Sequence, residues 1–425
     1  MAGGSCASDT NRTGRPSAFA LALIVASLTC AAPLARGADW PRFRGPNGDG
    51  KSAQTGLLKE WPAEGPTLLW SVEDLGFGYS SVSVVGDTLY TTGLVGDQGN
   101  VYAYGVDGRL KWQAGYGKDW TGDHPGSRTT PTVDGGLLYV MSGHGRVACF
   151  DVATEGEKWA VDTAQQFGAQ QISWGITESL LIDGDNLLCT PGGKQAGIVA
   201  LNKKTGDTVW ACSELTDKSG YCTPILIERG DRSVLCTLTG VSFVGVDADT
   251  GKLLWRHERK VPYDIHAVSP VYADSMIYIT SGYGGVRGAM YELSSDGATV
   301  QQKWTDGTLD TQHGGVILHE GHIYGASHKN KHGNWICINL ASGQVTGEFK
   351  GVGDGSVTFA EGMLYCYGQN STVGLVAPSP TDFRLVSSFR ITKGNREHWA
   401  HPVVANGRLY IRHGTALMAY DVGAK

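Results

Sequence analysis

Two independent markers recur eight times along the chain, and together they restrict the fold more than anything else in it. The first is an aromatic residue closing a short apolar stretch: Trp70, Trp112, Trp159, Trp210, Trp255, Trp304, Phe349 and Phe389, spaced 40 to 51 residues apart. The second is an apolar pair in mid-stretch: Leu89-Tyr90, Leu138-Tyr139, Leu187-Leu188, Val234-Leu235, Ile277-Tyr278, Ile323-Tyr324, Leu364-Tyr365 and Leu409-Tyr410. The unit around Thr130–Trp159 shows the layout. Thr130–Val133 reads as a first strand, Leu137–Ser142 as a second and Arg146–Asp151 as a third, with a fourth ending at Trp159. Gly-rich turns separate them. Four short antiparallel strands in a period of this length describe a β-propeller blade. The last unit stops after its third strand, whereas Trp70 precedes the first Leu-Tyr pair. Pro66–Val72 is therefore expected to supply the fourth strand of the last blade and close the ring, leaving no long open edge. The predicted fold is all-β, an eight-bladed propeller over residues 66–425 with a lead-in segment at 38–65.

The N-terminus reads as a secretory signal. Arg12 and Arg15 precede an apolar run, Ser17–Ala32, and Ala35-Arg36-Gly37 places small residues at the cleavage positions, giving a signal peptide at 1–37. The run is short for a membrane span. Cys30 is a poor lipoprotein site, because Thr29 stands where a small residue is expected. No later transmembrane segment is evident. Cleavage removes Arg12, Arg15, Arg36 and Asp9, leaving 32 basic and 40 acidic residues, a net charge near −8. With no basic patch, nucleic acid is a poor partner, and a monomer in the periplasm or cell envelope is expected. Of nine cysteines, seven remain after cleavage. Cys189, Cys236 and Cys366 each follow a mid-strand apolar pair, and Cys149 and Cys337 sit in third strands, so these five read as core residues. Cys212 and Cys222 flank one loop between blades, and a disulfide between them stays open.

The stretch "GVDADTGKLLW" (Gly245–Trp255) resembles the tryptophan-docking repeat of the PQQ-binding-like (pyrroloquinoline-quinone) propeller family. "ALNKKTGDTVW" (Ala200–Trp210), "FDVATEGEKW" (Phe150–Trp159) and "YGVDGRLKW" (Tyr104–Trp112) are variants of it. The Thr-Gly makes the tight turn, and the Trp packs between blades. By this resemblance Trp70, Trp112, Trp159, Trp210, Trp255 and Trp304 are docking residues. The "DWPRFRGP" start resembles exported planctomycete-type members. More distantly the chain resembles BamB-like assembly proteins and quinoprotein alcohol dehydrogenases. The resemblance implies an exported, non-catalytic scaffold that binds an envelope protein or polymer. Its alternative is a PQQ-dependent oxidoreductase acting on an alcohol or sugar, of the polyvinyl-alcohol dehydrogenase kind, with PQQ and calcium as cofactors. Against the alternative stand nearly minimal blades, the absence of an adjacent cysteine pair, the absence of a haem-attachment motif, and no calcium ligand set that matching motifs assemble.

Residues entering each first strand rim the channel of a propeller. At those positions stand Tyr79, Arg128, Trp174, Tyr221, His266, His313 and Trp399. Aromatic rings with Arg and His in one funnel suit a planar, anionic ligand held by stacking and ion pairing. The five His of His313–Gly333 alternate over two strands and their turns and read as surface and turn residues rather than a metal site. The Asn47-Gly48-Asp49-Gly50 run lacks the acidic positions of a calcium loop, having Gly45 and Gly56 there. No nucleophile carries a supporting motif such as GxSxG, and no phosphate-binding or dinucleotide fingerprint occurs. No catalytic residue and no metal ligand is assigned.

Overall fold

A computed structural model of the chain describes residues 39–283 and 288–424; the signal peptide at 1–37 and its cleavage site lie outside them. Eight sheets of four antiparallel strands follow one another in the described chain, one of them carrying Lys51–Ser52 as a fifth, parallel strand. Their innermost strands begin at Ser83, Thr132, Leu181, Ile225, Val271, Val316, Gly355 and Val403, which number the blades 1 to 8. Leu68–Val72 pairs antiparallel with Ala416–Asp421, Trp70 opposite Ala419, so a strand from the start of the propeller is the outer strand of blade 8. No helix among the described residues is long and apolar enough to cross a membrane. The one α-helix among the described residues is the single turn Thr163–Phe167, capped by Asp162.

The mid-strand apolar pairs explain why blades stack. Neighbouring residues of a strand point to opposite faces of its sheet. Each blade lies between two others, so both faces must be apolar. Leu138 and Tyr139 accordingly face different cores, the first between blades 1 and 2 and the second between blades 2 and 3. All sixteen residues of the eight pairs are buried. Cys149, Cys189, Cys236, Cys337 and Cys366 are free and buried in these cores, as are Cys212 and Cys222. The last two pack in different inter-blade clusters, Cys212 with Trp210 and Cys222 with Trp255.

The docking tryptophans occupy one repeated position, and the repeat's glycine explains it. Trp210 of blade 3 donates its indole N–H to Ala248 O of blade 4, at 2.8 Å. Its ring lies over Gly251, where a Cβ would overlap it, and Gly251 has φ +74°. The glycine therefore makes the turn and also leaves a flat seat for the preceding blade's indole. Trp70 on Gly108, Trp159 on Gly206 and Trp304 on Gly343 repeat the arrangement. Trp255 departs from it: its ring packs on Phe243 of its own blade, centroids 4.8 Å apart, and over Gly245.

Two sequence expectations shift. The tryptophans lie within the outer strands rather than at their ends. In all eight blades a β-bulge interrupts the pairing of the third and fourth strands one residue before the docking position, as with Val209 before Trp210. A bulge raises local twist, which suits an outer strand that must splay from the ring. Phe349 and Phe389 are not docking equivalents. The residues matching the tryptophans are Gly347 and Ser387, opposite Cys337 and Leu375.

Candidate functional site

The chain enters the first strands as extended segments, and their alternate residues face the central axis. Thr177 and Ser179, Tyr221 and Thr223, Ile265 and Ala267, and Trp399 and His401 are such pairs. Together with Tyr79, Arg128, Trp174, Tyr263, Tyr283 and His313 they line a cavity of about 360 Å³. Six of the seven rim residues expected from sequence meet there. His266 does not. It lies between Ile265 and Ala267, so the two-residue alternation of an extended chain turns it away from the axis. It is fully buried, with Nδ1 2.7 Å from Ser281 Oγ and Nε2 3.0 Å from Arg259 O. Burial pushes its pKa down to about 3, so it is neutral.

The rings form two groups across the axis. Trp399, from blade 8, contacts Tyr79 and His124 with centroids 4.9 Å away in each case, and His313 at 5.3 Å. On the other side Trp174 meets Tyr263 edge-on at 5.9 Å and Tyr221 at 6.4 Å. Arg128 joins the groups. Its guanidinium lies 5.3 Å from the Tyr79 ring centroid, and its Nε donates to Trp174 O at 2.9 Å. It also donates to the carbonyls of Gly126, Asp123 and His124. Four of its five N–H groups are thus committed to backbone. Arg128 is a brace between the walls more than a free arm for an anion.

Two of the cavity's histidines are held neutral. Burial lowers His313 to about 4 and His401 to about 3, the latter aided by Arg44. Glu397 stands behind the wall. Burial opposes its ionisation, but hydrogen bonds from Tyr79 and His124, both 2.8 Å, hold its carboxyl below the usual range. Among the described residues no Asp, Glu or Asn side chain lines the cavity. Among the described residues no three His, Cys, Asp or Glu side chains are placed to hold a metal ion. Calcium prefers several oxygen ligands, carboxylates foremost, and the described lining does not fit it.

Several lining residues carried no sequence signal. Phe43, from the lead-in segment, reaches the cavity and meets His401 edge-on, centroids 4.8 Å apart. Its neighbour Arg44 is fully enclosed, donating to Gly48 O, Asp49 O and Val316 O. The lead-in thus straps the ring. Trp40 pairs with Val84 of blade 1, and Lys51–Ser52 runs parallel to Phe359–Ala360 of blade 7. Asp49 accepts from Lys51 N, as in a turn. His124, Tyr221 and Tyr263, all lining, have left-handed backbones with φ of 52°, 79° and 66°. Such strain in non-glycine residues persists where the surroundings impose it, commonly at functional sites.

A family model described as outer membrane protein assembly factor BamB matches residues 97–346. No curated protein matches the chain. Among solved structures, BamB from Moraxella catarrhalis is similar at a TM-score of 0.59 and 16% identity, covering 84% of this chain and 97% of that one. A europium-containing methanol dehydrogenase is similar at 0.66 and 10%, covering 89% and 90%. The quinohemoprotein alcohol dehydrogenase from Comamonas testosteroni is similar at 0.64 and 13%, covering 91% and 81%. At such identities these structures share the fold, and fold does not carry activity. The matched residues 97–346 are more than half of the chain, which therefore belongs to the BamB-like propeller family.

Proposed function

We propose that this chain is an exported, non-catalytic binding propeller that holds a protein or polymer partner at the cell envelope. The observation that carries this reading is the character of the central cavity. It is large enough for a small ligand or a protruding group, its walls are mainly aromatic, and its described lining offers no carboxylate to a metal and no free nucleophile. His313 and His401 are neutral, and Arg128, the one arginine of the described lining, is tied to backbone carbonyls. The thiols of the described residues are all buried in blade cores. The family's printed description, an outer membrane assembly factor, supports a partner-binding role.

A second reading is a PQQ-dependent alcohol or sugar oxidoreductase. Opposed aromatic groups could stack on a planar quinone, which favours it, as do the two dehydrogenases of similar fold. The residues present do not fit the accompanying calcium, and we derive no reaction step through it. The test is reconstitution of chain 38–425 with PQQ and Ca²⁺, followed by dye-coupled alcohol oxidation. The binding reading predicts no dye reduction above the free cofactor's rate. Turnover that depends on protein, PQQ and Ca²⁺ together would replace it with the oxidoreductase.

A further inference from the structure

From the cavity we infer the class of group it takes: a neutral pyranose ring of an envelope glycan, stacked between Trp174–Tyr263 and Tyr79–Trp399. The inference rests on the reading of the cavity as a binding site and names its ligand.

Three features carry it. The first is shape and surface. Trp174 and Tyr263 stand on one side of the axis and Tyr79 and Trp399 on the other, with a 360 Å³ space between the blades. A sugar ring offers flat C–H faces to such rings and hydroxyls around its edge. The second is the polar pattern between the rings. Ser179 Oγ accepts from Thr130 N at 2.9 Å, and Thr223 Oγ1 accepts from Ser179 N at 3.0 Å. Each hydroxyl therefore keeps its own O–H to donate. Gln312 adds an amide to the same lining. These are edge partners for ligand hydroxyls.

The third feature is charge. Among the described lining residues a multiply anionic ring would be buried against one guanidinium that has one N–H uncommitted, and the ionised Glu397 lies directly behind Tyr79 and His124. Burying unpaired charge is costly, so a neutral ring suits the lining better. Tyr263 adds the entry device. It is 70% exposed, yet the Pro262–Asp264 turn holds it in the left-handed region and edge-on to Trp174. An exposed aromatic kept in a strained conformation beside an aromatic cavity acts as a platform for an incoming ring.

The test is intrinsic tryptophan fluorescence of chain 38–425, with Trp174 and Trp399 as reporters, titrated with cellotetraose, N-acetylglucosamine tetramer and, separately, PQQ. Saturable change with at least one oligosaccharide below about 10 mM is expected. Tyr263→Ala should weaken it at least about fivefold, while Tyr263→Phe keeps it, since the ring and not the hydroxyl does the stacking. Tyr263 is exposed, so folding is retained in both variants, and unchanged circular dichroism checks this. No response to either sugar, or a response indifferent to Tyr263→Ala, overturns the inference. The dye-coupled assay is independent: absent sugar binding with no PQQ turnover removes this ligand and leaves the binding propeller standing.

Discussion

Replacing Gly251 by Ala should destabilise the propeller chiefly through a residue of the preceding blade. At φ +74° an alanine costs about 1–2 kcal/mol over glycine. Its Cβ would also meet Trp210 Cε3 at 2.5 Å, so the indole must move. Displacing a packed side chain adds about 1–3 kcal/mol. The total is about 2–5 kcal/mol. Trp210→Ala alone should cost about 3–5 kcal/mol, because the ring is only 8% exposed and its N–H bonds Ala248 O. In the double variant there is no indole to displace, and Gly251→Ala then costs only its backbone share. The two changes should therefore be sub-additive by about 1–3 kcal/mol, a coupling typical of residues in contact. Urea denaturation of all four proteins, followed by far-UV circular dichroism, measures it. If Gly251→Ala costs the same with and without Trp210, the glycine is serving the turn alone, and the seat explanation of the repeat is wrong.

Three further outcomes follow from the same packing. Arg44→Ala leaves three enclosed carbonyls, of Gly48, Asp49 and Val316, without their donor and should lower stability by about 3 kcal/mol in denaturant titration; Arg44→Lys should recover little, since an ammonium cannot span the same fork. Glu178 is fully buried, accepts Thr190 N–H, and is pushed up to about 8 by burial, so its contribution is present below pH about 4.5 and lost as pH rises toward 8. Glu178→Gln should thus gain on the parent protein across that window, by up to about 1.4 kcal/mol per pH unit, whereas the buried neutral histidines 266, 313 and 401 act in the opposite sense and weaken the fold as pH falls below 6.5. Chain 38–425 should show seven thiols to Ellman's reagent in denaturant, and its melting temperature should not respond to reductant, because Cys212 and Cys222 lie free in separate cores.

The architecture was readable because its two markers are demanded by the packing of blade on blade. A doubly buried strand needs adjacent apolar residues, and the indole needs a turn without a side chain beneath it. The closing strand was readable for the complementary reason: one outer strand was missing at the end and one was spare at the start. The bulges were not, since the extra residue can be Lys158, Val209 or Leu254 equally well. Phe349 and Phe389 misled because they occupy the same strands two residues further on. In the cavity the count of rim positions was nearly right, but His266 shows how a one-residue error reverses a side chain in extended backbone. Nothing marked Phe43 as a cavity residue, and Tyr263 had no signal at all. The first reaches the axis from outside the repeat, and the second depends on a strained turn that Pro262-Tyr263-Asp264 does not advertise.

The central claim is that the cavity binds without being a cofactor pocket. Calorimetric titration of chain 38–425 with PQQ in the presence of Ca²⁺ tests it most directly. Neutral His313 and His401, the braced Arg128 and the described lining without carboxylates predict weak binding, with Kd above about 0.1 mM and no dependence on Ca²⁺. One-to-one binding at micromolar Kd or tighter that requires Ca²⁺ would contradict the account.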